Sequence, residues 1–208
     1  MCLCAPLHDM MALDAAGAEL WRFGAGVTEV LISSDATCRG VAHFEIEGVA
    51  TDAPCPGFGA ERPVDQLAGF GDSAPGFVTA TTPLILLRGV AVGCQLRNGQ
   101  RRDAPSGVIG GYDPVIGELP WAWDRSRPEE SGLPSECETW GLGKPNMWTT
   151  AIGDEALGLL YLPMGNSAID HHGALRSDIE NAFATALVDL DVETGAAVGR
   201  TPLPAGGP

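Results

Sequence analysis

One short pattern, met three times along the chain, constrains the fold more than any bulk property. Leu13-Asp14-Ala15-Ala16-Gly17-Ala18-Glu19-Leu20-Trp21 recurs as Tyr112-Asp113-Pro114-Val115-Ile116-Gly117-Glu118-Leu119-Pro120-Trp121. It returns as Leu190-Asp191-Val192-Glu193-Thr194-Gly195-Ala196-Ala197-Val198-Gly199, with glycine where tryptophan stood. Each copy reads as strand, tight Asp-to-Gly turn, strand, which is a hairpin. A hairpin repeated at intervals, with an aromatic on the return strand, is the pattern of a β-propeller blade.

Other runs agree. Thr82 to Gly93 reads as two apolar strands around Arg88-Gly89, and Leu157–Leu162 and Ala186–Leu190 read as further strands. The 28 Gly and 16 Pro, spread along the chain, favour many turns over long helices. Arg125 to Thr139 reads as an exposed loop, and Asp178 to Ala186 as one or two helical turns. At about 40–50 residues per blade, 208 residues make roughly four blades. The expected fold is all-β, a partial β-propeller over residues 1–200, with unpaired edge strands at its cut faces. Residues 201–208, small and proline-rich, read as a disordered tail.

A net charge of −15 leaves no basic stripe to displace counterions, so nucleic acid is not an expected partner. The acidity serves solubility. No window reaches the roughly 18 apolar residues that span a bilayer. The N-terminus lacks a basic start followed by an apolar run, so no signal peptide is expected. Six cysteines show no metal-type pairing. Adjacent His171 and His172, beside Asp170, would point to opposite sides of a strand, a poor start for a zinc site. Nucleophile elbows, phosphate loops and dinucleotide fingerprints are absent.

Gly143-Lys-Pro-Asn-Met-Trp148 is followed, eighteen residues after its tryptophan, by Asn166 in Gly158-Leu-Leu-Tyr-Leu-Pro-Met-Gly-Asn. Ala104-Pro-Ser-Gly-Val-Ile-Gly-Gly-Tyr-Asp113 runs into Gly117-Glu-Leu-Pro-Trp-Ala-Trp-Asp124. These motifs resemble the pyrroloquinoline-quinone (PQQ) dehydrogenases, the second of them the membrane-bound glucose/quinate/shikimate branch. The resemblance runs collinearly from about Asp9 to about Gly195. About half a blade is missing after Cys55-Pro56, where Gly57-Phe58-Gly59 follows at once. Since the resembled family closes a ring of eight blades, the chain amounts to about half of one, a diverged fragment.

What the resemblance implies is specific. Trp148 would stack on the flat cofactor, as a large aromatic face suits a tricyclic quinone; a core tryptophan is the alternative. Arg39 would pair with a PQQ carboxylate through its guanidinium fork, or else form a structural ion pair. Thr81 would hydrogen-bond the cofactor, unless it is a plain strand threonine. Asn166 would offer its amide oxygen to calcium, which wants six to eight oxygens, several from carboxylates; a turn asparagine is the alternative. Asn98 stands where the family has an acidic calcium ligand, so weaker calcium binding is expected. Asp35 replaces a histidine near the cofactor and would repel its carboxylates. Cys38 and Cys55 sit where the family often carries cysteine; a bridge between them would imply an oxidising compartment, while small buried thiols are the alternative.

The implied activity is oxidation of an alcohol, polyol or aldose at a PQQ–calcium site, calcium acting as a Lewis acid, with electrons passed to membrane quinone. The implied location is periplasmic and membrane-associated. No catalytic residue is assigned in this chain. After the Asp191–Gly195 turn, nothing matches the family's His-His-Asp-x-Trp-Asp segment with its catalytic aspartate, a base of a kind typically worth about 100- to 10,000-fold. The competing expectation is a catalytically inactive half-propeller remnant or binding scaffold.

Overall fold

A computed structural model describes residues 2–4, 9–24, 26, 64–66, 68–72, 78–79, 82–94, 96–97, 101–143, 145–147, 149–168 and 172–203. Two complete four-stranded antiparallel sheets dominate. The first orders β5 (Ile85–Leu87), β6 (Val90–Cys94), β8 (Ile109–Tyr112) and β9 (Trp121–Trp123) side by side. The second orders β10 (Ile152–Asp154), β11 (Leu159–Pro163), β12 (Ala186–Asp191) and β13 (Ala197–Pro202). A three-stranded sheet joins β1 (Cys2–Cys4), β2 (Met10–Leu13) and β3 (Glu19–Phe23). A short ribbon pairs β4 (Val78–Thr79) with β7 (Leu96–Arg97).

All three hairpin copies form as antiparallel pairs, β2–β3, β8–β9 and β12–β13. In each turn the Asp carboxylate accepts local backbone N–H groups. Asp14 holds the N–H of Ala16 and Ala18, Asp113 those of Val115 and Ile116, and Asp191 those of Glu193 and Thr194. The closing glycines, Gly17, Gly117 and Gly195, have φ of 85°, 75° and 71°, which a side chain disfavours. A fourth turn of the same build links β10 to β11. Asp154 accepts from Leu157 N–H, and Gly158 (φ 69°) donates to the Asp154 carbonyl at 2.8 Å. Arg88-Gly89 closes β5–β6 with positive φ at both positions, as a two-residue primed hairpin turn requires.

The core lies between the two large sheets. Alternation turns Ile109, Trp121 and Trp123 to one face, where they meet Leu160, Leu162, Val188 and Leu190 of the second sheet. Ala122 faces the other way and packs with Phe70, Val108 and Trp140. Helix α1 (Asp178–Phe183) opens on a Ser177/Glu180 capping box and sets the Phe183 ring edge-on to Trp123 at 5.4 Å.

Three expectations need adjusting. The predicted helix ends at Phe183 because Thr185 turns through φ 49° and Ala186 already starts β12. The predicted loop 125–139 is a run of turns, but Arg125 at its start is buried, 3% exposed. Thr201 and Pro202 belong to β13 and Leu203 N–H donates to Thr185 O, because β12 offers them a pairing strand; residues 204–208 lie outside the described residues.

Candidate functional site

Three stretches that the sequence motifs single out converge beside the first sheet. Gly143 N–H donates to the Ala104 carbonyl at 2.5 Å, joining the start of Gly143–Trp148 to the start of Ala104–Asp113. Gly165 N–H donates to the Asn146 carbonyl at 3.0 Å, joining the same stretch to the residue before Asn166. Gly107 lies against Asn146: a Cβ there would overlap the Asn146 side chain and come within 2.9 Å of its Cα. The glycine is what lets the two backbones approach so closely.

A buried polar network fixes the approach to this crossing. The Asp124 carboxylate accepts from Ser106 Oγ at 2.8 Å, Ser126 Oγ at 2.7 Å and Gly141 N at 2.7 Å. Arg125 Nη2 donates to the Leu142 carbonyl at 2.6 Å. Burial holds the Arg125 guanidinium below its ordinary value, and the Asp124 and Glu180 carboxylates offset only part of that. Burial raises the Glu180 carboxyl, but the Ser177 N–H and hydroxyl and the Arg125 and Arg102 guanidiniums outweigh it and hold the group below its ordinary value. Residues 141–143 are therefore pinned on both sides immediately before the 144–148 stretch.

Of the five predicted site residues, Asn166 is described. It follows β11, its side chain is exposed, and its Oδ1 accepts from Ser167 N at 3.0 Å. Trp148, Arg39, Thr81 and Asn98 lie outside the described residues, as do Asp35, Cys38, Cys55, Asp170 and His171. His172 is exposed at the start of a 3-10 turn. Three participants carry no local mark in the sequence: Asn146 and Asp124 stand inside the family-like motifs, and Arg125 opens the stretch read as an exposed loop.

The chemistry of these donors bears on the implied groups. Asn146 is 2% exposed and its Nδ2 has no hydrogen-bond partner, so a buried donor waits for an acceptor, which suits a cofactor rich in carboxylate and carbonyl oxygens. For calcium the position differs. No group of three or more His, Cys, Asp or Glu converges among the described residues, and the neutral Asn166 amide alone does not build a shell for a hard divalent cation.

Comparison with known proteins gives a consistent result. The chain is 41% identical to the glycerol dehydrogenase large subunit of Gluconobacter oxydans (strain 621H), over 93% of this chain and 30% of that protein. It is 27% identical to the quinate/shikimate dehydrogenase (quinone) of Acinetobacter baylyi, over 93% of this chain and 29% of that protein. It is 29% identical to the quinoprotein glucose dehydrogenase of Escherichia coli (strain K12), over 93% and 28%. The chain thus spans less than a third of the length of these relatives. The family described as "PQQ: Glucose/ethanol/alcohol dehydrogenase, beta-propeller domain" matches residues 48–199. With that match over most of the chain, two four-stranded antiparallel sheets packed face to face and the Asp-to-Gly hairpins, this chain belongs to the PQQ dehydrogenase β-propeller family.

Proposed function

We propose that this chain forms one wall of the cofactor pocket of a PQQ-dependent dehydrogenase that oxidises an alcohol, polyol or sugar hydroxyl and passes the electrons to quinone. The observation that carries the reading is the convergence at Asn146, where residues of all three family-like motifs are joined by the Gly143–Ala104 and Gly165–Asn146 hydrogen bonds. Glycerol leads the candidate substrates, because the glycerol dehydrogenase large subunit is 41% identical where the glucose and quinate enzymes are 27–29% identical. A periplasmic, membrane-associated setting is part of the same proposal, by resemblance to the membrane-bound glucose/quinate/shikimate branch. No helix among the described residues is long and apolar enough to cross a membrane.

In this reading PQQ, when bound, supplies the two-electron acceptor. Trp148 gives it an aromatic floor, Arg39 pairs with a carboxylate and Thr81 donates a hydroxyl hydrogen bond. Asn166 and Asn98 would offer calcium neutral oxygens, so calcium binds more weakly than it would with an aspartate at position 98, and Asn98→Asp raises calcium affinity. The proton-accepting base is not among the residues assigned here.

The test is a titration of the 208-residue chain with PQQ, with and without calcium, followed by tryptophan fluorescence and by glycerol- or glucose-dependent dye reduction. Saturable quenching that Trp148→Ala abolishes supports the pocket. Quenching without dye reduction leaves a cofactor-binding scaffold. A folded chain that shows no quenching overturns the assignment.

A further inference from the structure

The outer face of the second sheet carries one row of side chains that is complementary to itself. Register places Ile152 of β10, Tyr161 of β11, Asp189 of β12 and Gly199 of β13 side by side across the four strands. Their neighbours Leu160, Leu162, Val188 and Leu190 point into the core, so alternation turns this row outward. Ile152, 70% exposed, projects at one end, and Gly199 leaves a notch at the other, beside the Asp189 carboxylate. Between them lie a phenol, which donates, and a carboxylate, which accepts. Asp189 Oδ1 is buried without a hydrogen-bond partner, and the soft last torsion of an aspartate lets it turn towards a donor brought from outside. In the first sheet the matching positions are Gly111 and Trp121, and Trp121 Nε1–H donates to the second sheet at Val192 O. The third hairpin copy has Asp189 and Gly199 there instead, so its outward face offers an acceptor and a notch.

A two-fold axis lying along the strands, midway between β11 and β12, lays this row on its own reverse. Ile152 of one copy then lies over Gly199 of the other, and Tyr161 over Asp189, each contact made twice. An axis across the strands would set Ile152 on Ile152 and bring two Asp189 carboxylates together, which their like charges oppose.

We infer that this face joins two copies of the chain in a symmetric dimer, the Tyr161 hydroxyl of each copy donating to the Asp189 carboxylate of the other. Aligned sheets pack face to face in this way in β-sandwiches. With β11 and β12 five and six residues long, and strands about 4.8 Å apart, the face covers roughly 300 Å² per copy, well under the about 800 Å² per partner of a standard interface. The dimer is therefore weak and forms reversibly as concentration rises.

Sedimentation velocity of the 208-residue chain over a concentration series tests it, at a salt concentration that screens the net charge of −15. The expected result is a monomer–dimer equilibrium that stops at two, as a closed two-fold contact must. Tyr161→Phe keeps the ring but removes both hydroxyl donors, and should raise the dissociation constant about tenfold or more with circular dichroism unchanged. Ile152→Lys should weaken the dimer at least as much, whereas Leu133→Lys, the same charge change at another exposed leucine site, should leave it unaltered. A chain that stays monomeric at every concentration overturns the inference and leaves the face to a different partner. Growth beyond the dimer overturns it in favour of open pairing, for instance along the β13 edge. An equal loss in Leu133→Lys means unspecific apolar contact, and Tyr161→Phe without effect removes the reciprocal hydrogen bond; either result also overturns it.

Discussion

Trp121 is enclosed on both faces by glycine. A Cβ on Gly111, its cross-strand partner, would overlap the indole, and one on Gly195 of the neighbouring sheet would lie 2.5 Å from Cε3. Its Nε1–H donates to the Val192 carbonyl at 2.8 Å, tying the first sheet to the turn between β12 and β13. Trp121→Phe leaves that buried carbonyl unpaired and is expected to lose about 1–3 kcal/mol, readable by urea unfolding followed by circular dichroism. In the third hairpin copy, Gly199 replaces the tryptophan and the space is taken by Asp189, whose Oδ2 would stand 2.6 Å from a Cβ at that position. Glu180 makes a pH-dependent contribution. Its folded pKa is held below the ordinary 4.5, so its stabilisation is full above that pH and is lost as pH falls through the lowered value. Glu180→Gln should therefore flatten the acid limb of the stability–pH profile, and an unchanged limb would remove Glu180 from that account. At this scale the tryptophan of the motif was legible in the sequence. Asn146 was not, because what distinguishes it is an unpaired atom, and pairing exists only between segments far apart in the chain.

Hairpins were the most legible elements, since Asp and Gly write their turns locally. The Asp154–Gly158 turn has the Asp-x-x-x-Gly spacing of Asp113–Gly117 and Asp191–Gly195, but Gly153 precedes its aspartate where the three copies have Leu13, Tyr112 and Leu190. What no local pattern could reveal is how the turns meet. Arg88, itself at φ 47°, donates Nε to Glu155 O at 2.9 Å and Nη2 to Ala156 O at 2.7 Å, clasping the β10–β11 turn from the first sheet. Its ion pair with Glu193, 3.2 Å long, is exposed on the glutamate side. Removing the clasp with Arg88→Ala should cost about 1–2 kcal/mol, whereas Glu193→Ala should cost under about 0.5 kcal/mol, both measured by thermal melting. Equal losses would mean that the ion pair, and not the two carbonyl contacts, holds the turns together.

Across the molecule, the inner faces of the two large sheets are closed on each other and the outer face of the second is not. Ile152 is 70% exposed and sits in register with half-buried Tyr161, and Val198 is 57% exposed on the outermost strand β13. The purified 208-residue chain is expected to self-associate as concentration rises, and Ile152→Lys should weaken that association in sedimentation velocity. A net charge of −15 opposes the contact at low salt, so association should strengthen as salt screens it. The all-β class, the Asp-to-Gly hairpins and the family-like motifs are legible in the amino-acid order, because each rests on residues near one another in the chain. Packing adds that Gly107 lies under Asn146, that Arg125 is buried with its guanidinium on Leu142 O, and that the Asn146 Nδ2 is left without a partner. Those facts depend on which faces two twisted sheets present to each other, and a periodicity of two says only that each strand has two faces.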